Sequence, residues 1–273
     1  MQEGCPRVSV VIPAYCHTTD HEVFLAEALR SVAGQSYRDF EVVIVDDMSP
    51  IDILPLLRLV EDLPETRILR NAVNMGHAES RNVGIRAARG ELIAFLDHDD
   101  IWLPEKLERQ VAALDANPDG AMVFCETEIF GPGAEDFPID QSDIPERPSF
   151  PWLIARGNVT ISATAVLVRK QAMLDIGLFD GRYTTYDDFD AWLKILMNSC
   201  LLHLPYRLAK YRLHDYNVNT SIDRLNDNRL LTALILRYWR TAPFADKLGL
   251  LPLLGRKFAG RLWFALQKAL GRG

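Results

Sequence analysis

The first hundred residues alternate between short apolar runs and longer segments in which apolar positions recur three or four residues apart. The runs at 8–13, 41–45 and 91–96 are rich in Val, Ile and Leu, as expected of strands buried on both faces. The segments at 22–33 and 78–88 have helical spacing. This order predicts an α/β fold with a doubly wound, mostly parallel sheet flanked by helices.

The rest of the chain continues the pattern less regularly. Further predicted elements are a helix at 54–60, a strand at 66–70, a helix at 104–114, a strand at 120–126, a strand at 161–169 and a helix at 189–197. Residues 131–151 are rich in Pro, Gly and Asp and predict a long loop, typical of lids and acceptor-binding elements. We expect a catalytic domain at 1–222 and a basic, amphipathic helical region at 223–273.

Polar and acidic sequence follows three of the predicted strands. These segments are Pro13-Ala14-Tyr15, Asp46-Asp47 and Asp97-His98-Asp99-Asp100. Ligands bind outside the carboxyl ends of strands in sheets of this kind. The pattern therefore predicts an acidic site of nucleotide size along one edge of the sheet.

The acidic run at 97–100 is the strongest candidate for metal binding. Carboxylates packed at a strand end repel one another unless a cation compensates them. Mg²⁺ and Mn²⁺ prefer such oxygen ligands, together with substrate phosphates. The alternative is a solvated acidic turn that caps the helix after it.

Two other acidic groups have ordinary structural alternatives. Asp47 can accept a hydrogen bond from a base or ribose, or cap a helix before Ser49-Pro50. Asp187, Asp188 and Asp190 begin a predicted helix, where the helix dipole already favours carboxylates. The functional interpretation of this group is a general base that faces an acceptor.

These pieces, in order, resemble the family-two glycosyltransferases, from Val8 to about Ser221. The motifs that carry the resemblance are VSVVIPAY, QSYRDFE, VIVDDMS, NMG, SRNVGI, GELIAFLDHDDIWLPEKL, GLFD, YDDFDAWLKI and YRLHDYN. The resemblance implies the A-type glycosyltransferase fold, here with a C-terminal helical extension. It also implies an inverting transfer of a sugar from a nucleoside diphosphate.

The resemblance implies a role for each matching residue. Pro13, Ala14 and Tyr15 would hold the nucleotide base, Asp47 would bond it, and Arg81 would reach the base or the phosphates. Asp97 and Asp99 would bind Mn²⁺ or Mg²⁺, with Asp100 behind them. Asp188 would be the catalytic base, preceded by Asp187 where the family commonly has Glu. Arg212 and His214 would touch the diphosphate or the metal. Arg81 on a helix surface and His214 on the surface or in the core are the alternatives.

The predicted reaction follows from those roles. A metal and cationic side chains stabilise the departing nucleoside diphosphate, and Asp188 takes the proton of the attacking hydroxyl. The donor is expected to be UDP-linked, with GDP and TDP as alternatives, and the acceptor to be a glycan or a lipid-linked sugar in polysaccharide or glycolipid assembly. The processive motif Gln-x-x-Arg-Trp is absent from the sequence, so we expect non-processive transfer.

Other classes fit the sequence less well. A sugar nucleotidyltransferase needs a glycine-rich loop after its first strand, and an oxidoreductase needs G-x-G-x-x-G there. The sequence has Pro-Ala-Tyr-Cys-His at that position. A non-catalytic scaffold with a transferase fold is the third alternative.

Charge distinguishes the last segment from the rest of the chain. The net charge is −7, which argues against a nucleic-acid partner, yet residues 237–273 carry +7. Within them, 249–273 interleaves basic, leucine and aromatic residues. Such a helix either contacts a membrane surface or packs on the domain or a second copy. We expect neither a signal peptide nor an apolar spanning segment, and the four dispersed cysteines predict reduced thiols. We expect a cytoplasmic protein. Peripheral attachment at the inner face of the membrane and a homo-oligomer are both left open.

Overall fold

A computed structural model describes residues 4–136, 140–183, 185–215, 217 and 236–238. The strands are β1 (Val8–Ala14), β2 (Phe40–Asp46), β3 (Thr66–Arg70), β4 (Leu92–Phe95), β5 (Ile101–Trp102), β6 (Gly120–Phe130), β7 (Val166–Arg169) and β8 (Cys200–Arg212). The helices are α1 (Thr19–Ala33), α2 (Leu54–Leu57), α3 (His77–Ala87), α4 (Lys106–Ala116), α5 (Phe150–Arg156), α6 (Lys170–Asp175) and α7 (Asp187–Leu196).

The strands form one eight-stranded sheet in the order β3-β2-β1-β4-β7-β6-β8-β5. The first four neighbours are parallel, as predicted. Beyond β4 the sheet becomes mixed, because β7 runs antiparallel to both β4 and β6, β8 is parallel to β6, and β5 is antiparallel to β8. The predicted α/β architecture is confirmed, with its parallel part in the N-terminal half.

Helices cover both faces of the sheet, and alternate residues of the central strands β1, β4, β6 and β7 enter different cores. On β1, Val10 and Ile12 pack with residues of α1 and α4, whereas Val11 packs with residues of α3 and α7. Gly84 lets α3 approach the sheet closely, since a Cβ there would overlap the side chain of Val11. This double covering explains why β1, β2 and β4 read as unbroken apolar runs.

Several predicted elements differ from the structure. The helix expected at 54–60 ends at Leu57, and the strand expected at 120–126 continues to Phe130. The strand expected at 161–169 starts only at Val166, because Ala163–Ala165 forms a 3₁₀ turn capped by Ser162. The hydroxyls of Ser162 and Thr164 point to the acidic run. The loop expected at 131–151 contains a short 3₁₀ turn at Ala134–Asp136 and leads into α5.

Strand β8 is the main element that the sequence analysis missed. It contains Pro205, a residue that removes a hydrogen bond from a sheet. The register of the β6–β8 pair shifts at Cys125 and Glu126, so that Leu204 and Arg207 face consecutive residues of β6. The bulge accommodates Pro205 within a strand of 13 residues.

The predicted C-terminal helical region, including the basic segment 249–273, lies outside the described residues except for 236–238, which are helical. All four cysteines are free thiols. None of the helices in the described part of the chain combines the length and apolar character that a membrane span requires.

Candidate active site

The ends of β1 and β2 form the part of the site predicted to hold the nucleotide base. Pro13 and Ala14 are buried within β1, and Ala14 O accepts a 2.8 Å hydrogen bond from the backbone N of Asp47. Tyr15 comes next and is 37% exposed. A buried carboxylate and an accessible aromatic ring therefore stand at adjacent strand ends, a combination suited to a planar, polar ligand.

Asp47 is held by three donors. Its Oδ1 accepts from Asn71 Nδ2 and from the backbone N of Met75, each at 2.8 Å, and its Oδ2 accepts from the backbone N of Gly76 at 2.7 Å. Gly76 has φ = 81°, a conformation that favours glycine. Asp47 thus fixes the loop that leads into α3, instead of capping a helix before Pro50. A carboxylate has about four acceptor positions, so these three hydrogen bonds do not exhaust its capacity to accept.

Arg81 joins two of the acidic groups. Its Nη2 donates to Asp97 Oδ1 at 2.6 Å, and its Nη1 donates to Asp187 Oδ2 at 3.1 Å. The guanidinium is buried, which rules out the helix-surface alternative. Through this side chain, the acidic run after β4 and the acidic start of α7 belong to one site.

The hydroxyls of Ser162 and Thr164 organise the acidic run. Ser162 donates to Asp97 Oδ2 at 3.0 Å, and Thr164 donates to Asp100 Oδ2 at 2.6 Å. Asp100 is fully buried and also accepts from the backbone N of Arg212 at 3.0 Å. Burial, with the charges of Asp99 and Asp97, raises the pKa of Asp100 well above its ordinary value. Asp100 therefore has a structural role, because it accepts the hydrogen bonds that hold Thr164 and the backbone of Arg212 at the site.

Asp99 and His214 are the two predicted metal ligands that lie together. His214 Nε2 is 2.9 Å from Asp99 Oδ2. Burial would raise the pKa of Asp99, but the hydrogen bond from His214 and the charges of His98 and His214 outweigh it and hold the pKa at about 2. Asp99 is thus ionised at neutral pH, as a metal ligand must be.

The residues at Asp99 fit a hard divalent cation. Two atoms in adjacent positions of an octahedral Mg²⁺, each about 2.1 Å from the metal, lie about 3 Å apart, close to the Asp99–His214 separation. Carboxylate oxygen and imidazole nitrogen are both ligands of Mn²⁺-like ions. Asp97 faces Arg81 and Ser162 instead, and the described residues contain no preformed group of three such ligands. Substrate oxygens would complete the coordination.

Arg212 lies beside this pair but is already well occupied. Its guanidinium is sandwiched between Phe24 and Phe130, 4.4 and 4.5 Å from the ring centroids. It forms an ion pair with Glu27, and its Nε donates to the backbone O of Asp99 at 2.8 Å. Arg212 therefore shapes the acidic run and contributes its positive charge at short range.

A cluster of imidazoles surrounds the acidic run. The His21 ring centroid lies 4.3 Å from that of His17, 5.5 Å from that of His98 and 5.9 Å from that of His214. Burial, with the charges of His98, His17 and His214, lowers the pKa of His21 to about 4. His21 is thus neutral at pH 7. Of this cluster only His214 was singled out from the sequence; the contribution of His17 and His21 was missed, as was that of Ser162, Thr164 and Asn158.

Asp188 lies in the first turn of α7, buried next to Asp187. Its Oδ2 accepts from Asn158 Nδ2 at 2.8 Å, and its Oδ1 accepts from the backbone N of Phe189 at 2.7 Å. Burial, with the charge of Asp187, raises the pKa of Asp188 to about 6, and these hydrogen bonds and Arg81 oppose the rise. A carboxylate with a pKa near 6 is a stronger base than an exposed one and is still ionised at pH 7.

The neighbouring Asp187 has the opposite character. Its carboxylate pairs with Arg81 and with His77, whose Nε2 lies 3.1 Å away. Burial would raise the pKa of Asp187, but the hydrogen bond of His77 and the charge of Arg81 lower it below its usual range. Two adjacent carboxylates thus have pKa values that are pushed apart, a pattern typical of acid–base sites.

Comparison with known proteins agrees with this geometry. The model of the Glycosyl transferase family 2 matches residues 9–179, which include the ends of β1, β2 and β4 and the segment with Asn158, Ser162 and Thr164. The chain belongs to glycosyl transferase family 2.

Relatives of this family-2 chain extend the similarity beyond the matched region. An uncharacterized glycosyltransferase of Haemophilus influenzae is 28% identical over 243 residues, 86% of this chain and 78% of the relative. TuaG of Bacillus subtilis, named as a teichuronic acid biosynthesis glycosyltransferase, is 30% identical over 226 residues, 80% of this chain and 81% of TuaG. This family-2 chain is accordingly a glycosyltransferase.

Solved structures confirm the A-type glycosyltransferase fold. TarS residues 1–349 of S. aureus, in complex with UDP-GlcNAc, superpose with a TM-score of 0.69 at 22% identity, over 84% of this chain and 66% of that one. The mannosyltransferase PcManGT of Pyrobaculum calidifontis, in complex with GDP-Man and Mn²⁺, gives a TM-score of 0.65 at 18% identity, over 98% and 81%.

Proposed function

We propose that this glycosyltransferase moves a sugar from a nucleoside diphosphate to an acceptor hydroxyl in one inverting displacement, with Asp188 as the base. The observation that carries the proposal is the bridge of Arg81 between Asp97 and Asp187. It places the strand-end acids, which suit a metal and a diphosphate, beside the buried carboxylate of Asp188. Leaving-group stabilisation and proton removal then occur in one site.

The pKa of Asp188 supports its assignment as the catalytic base. Asp188, with its pKa raised to about 6, is ionised at pH 7 and accepts the proton of the acceptor hydroxyl. Its Asn158 partner orients the carboxylate. The hydroxyl oxygen attacks the anomeric carbon as its proton moves to Asp188, and the bond to the diphosphate oxygen breaks on the opposite face.

Asp99 and His214 would hold Mn²⁺ or Mg²⁺. When bound, such an ion neutralises charge on the departing diphosphate. Arg212 adds a fixed positive charge beside them, held between two aromatic rings. Asp47 and Tyr15 would bind the base, for which a uracil N3–H is a suitable donor to the remaining acceptor position of Asp47.

The acceptor is proposed to be a glycan or lipid-linked sugar in envelope polysaccharide assembly. The relationship to TuaG, named for teichuronic acid biosynthesis, supports a polysaccharide product. The UDP-GlcNAc complex of TarS supports a UDP-linked donor, and the GDP-Man complex of PcManGT keeps a guanine nucleotide open. The basic segment 249–273 would bring the enzyme to an anionic membrane face that presents such an acceptor.

Donor hydrolysis tests the proposal directly. UDP-, GDP- and TDP-sugars are incubated with the protein and Mn²⁺ or Mg²⁺, and released nucleoside diphosphate is measured beside an Asp99→Ala variant. We expect metal-dependent release from one donor, lost in the variant. Binding of free diphosphates is measured by thermal shift in parallel. Absence of both turnover and stabilisation would favour the non-catalytic scaffold.

A further inference from the structure

Of the described C-terminal residues 236–238, Tyr238 packs its side chain into the domain that carries Asp188. Tyr238 is 3% exposed, and its hydroxyl donates to Oδ1 of Asp190 at 2.8 Å. Its ring lies edge-on to Phe150, with the centroids 5.9 Å apart. Tyr238 therefore touches two helices at once, α5 through Phe150 and α7 through Asp190.

Asp190 needs these contacts because it is fully buried. Lys194 Nζ lies 2.5 Å from its Oδ2, and Arg237 Nη1 lies 3.6 Å from its Oδ1. A buried carboxylate that loses a donor keeps its desolvation penalty without compensation. The position of α7 is consequently sensitive to the hydroxyl of Tyr238.

The same two helices supply the partners of the candidate base. Asn158 follows the end of α5 by two residues, and Asp188 is the second residue of α7. The 2.8 Å hydrogen bond from Asn158 Nδ2 to Asp188 Oδ2 therefore spans the α5–α7 contact. A small shift of one helix against the other would lengthen this bond.

We infer that Tyr238 is a positioning residue, which fixes α7 against α5 and thereby keeps Asn158 on the carboxylate of Asp188. The inference rests on the proposed role of Asp188 as the base. The residues proposed to bind the nucleobase, such as Tyr15 and Asp47, lie elsewhere in the site, after β1 and β2. We therefore expect a change at Tyr238 to lower the rate of proton transfer and to leave the donor KM unchanged.

The kinetic test combines Tyr238→Phe, Asn158→Ala and the double variant. With the sugar nucleotide selected by the donor panel, we expect Tyr238→Phe to lower kcat roughly fivefold to tenfold without changing the donor KM. Because both residues act on one hydrogen bond, the double variant should be no slower than Asn158→Ala alone. Tyr206→Phe, which removes the hydroxyl of an exposed tyrosine on β8, should behave as the unmodified protein.

A second measurement needs no donor. The carboxyl carbon of Asp188 is titrated by NMR in each variant, with thermal unfolding to confirm the fold. The amide of Asn158 and the backbone N of Phe189 favour the ionised form, as does Arg81, while Asp187 disfavours it. Tyr238→Phe removes only a hydroxyl and replaces none of the charged residues around it, which are Asp190, Lys194 and Arg237. We expect the pKa of Asp188 to rise in both single variants.

The outcomes separate the two proposals. Full activity of Asp188→Asn would overturn the base role itself. An inactive Asp188→Asn, combined with unchanged kcat and unchanged Asp188 pKa in Tyr238→Phe, would overturn only the positioning role. Additive effects in the double variant, or a matching loss of donor affinity, would also contradict it.

Discussion

His214 Nε2 lies 2.9 Å from Asp99 Oδ2, although 115 residues separate the two in the chain. The contact joins the end of β8 to the acidic run after β4, and its length suits two ligands of one cation.

Removal of the His214 imidazole should weaken activation by metal. In His214→Ala we expect the Mn²⁺ concentration for half-maximal donor hydrolysis to rise at least about tenfold, because a ligand and the partner that orients Asp99 are lost together. The measurement is a Mn²⁺ titration at saturating donor. An unchanged Mn²⁺ requirement would contradict the assignment of His214.

Replacement of the candidate base should abolish most of the chemistry. Asp188→Asn is expected to lower kcat by about 10²–10⁴-fold while nucleotide binding, followed by thermal shift with UDP, is retained. In the unmodified protein, the pKa of about 6 means that activity falls as the pH drops through 6, since the base becomes protonated. Asp175→Asn, at an exposed position on α6, is the matched control and should keep this profile.

The stability of the protein should also depend on Asp188, but it should decrease with rising pH where activity increases. The pKa of Asp188 is higher in the folded state than the ordinary value of 3.8, so its contribution to stability decreases as the pH rises from about 4 to 6 and stays low above that. Asp188→Asn should therefore be more stable than the unmodified protein at pH 8, by about 1–3 kcal/mol, and not at pH 4. Urea unfolding at the two pH values measures the difference; an equal effect at both would argue against a perturbed carboxyl.

Loss of Arg81 should destabilise the whole site. Arg81→Met leaves Asp97 and Asp187 without their shared cation. The free energy of unfolding should therefore fall by about 3–5 kcal/mol. Arg81→Lys can pair with only one carboxylate, so its free energy of unfolding should lie between those of Arg81→Met and the unmodified protein. Arg182→Ala, which removes an exposed arginine paired with Asp180, should change stability little. Chemical denaturation compares the three variants.

Nucleotide affinity should depend on Asp47. In Asp47→Ala the backbone N of Met75 and of Gly76 lose their acceptor, and the proposed contact to the base is lost with it. We expect at least a tenfold weaker Kd for UDP by calorimetry, because one charged hydrogen bond contributes about 1.5–3 kcal/mol. Asp52→Ala, on an exposed turn, provides the control and should bind UDP normally.

The parallel half of the sheet could be predicted from the sequence, because a strand that is buried on both faces is a continuous apolar run. The candidate acids after β2 and β4 were also placed correctly at one edge, since parallel strands end together. Strand β8 was missed, because Pro205 and interspersed basic residues mask a strand whose partner, β6, is some 80 residues away in sequence. Such pairing is set by tertiary contacts and not by local preference.

The polar residues that hold the acidic side chains, Ser162, Thr164 and Asn158, could not be predicted from the sequence pattern for a related reason. Ser162 and Thr164 lie in a segment whose composition resembles a strand, and only the fold turns their hydroxyls towards Asp97 and Asp100. Asn158 has no distinguishing sequence context at all. A residue that acts on another side chain through a single hydrogen bond is identifiable only once both are placed.

The three donors around Asp47 have a thermodynamic consequence for ligand capture. With Asn71, Met75 and Gly76 already bound to its carboxylate, the loop before α3 is in place before a nucleotide arrives. Little conformational entropy then remains to be lost on association, so the favourable enthalpy of base contacts appears almost in full as affinity. If Asp47 binds the nucleotide as proposed, the free enzyme is already preorganised at that end of the site.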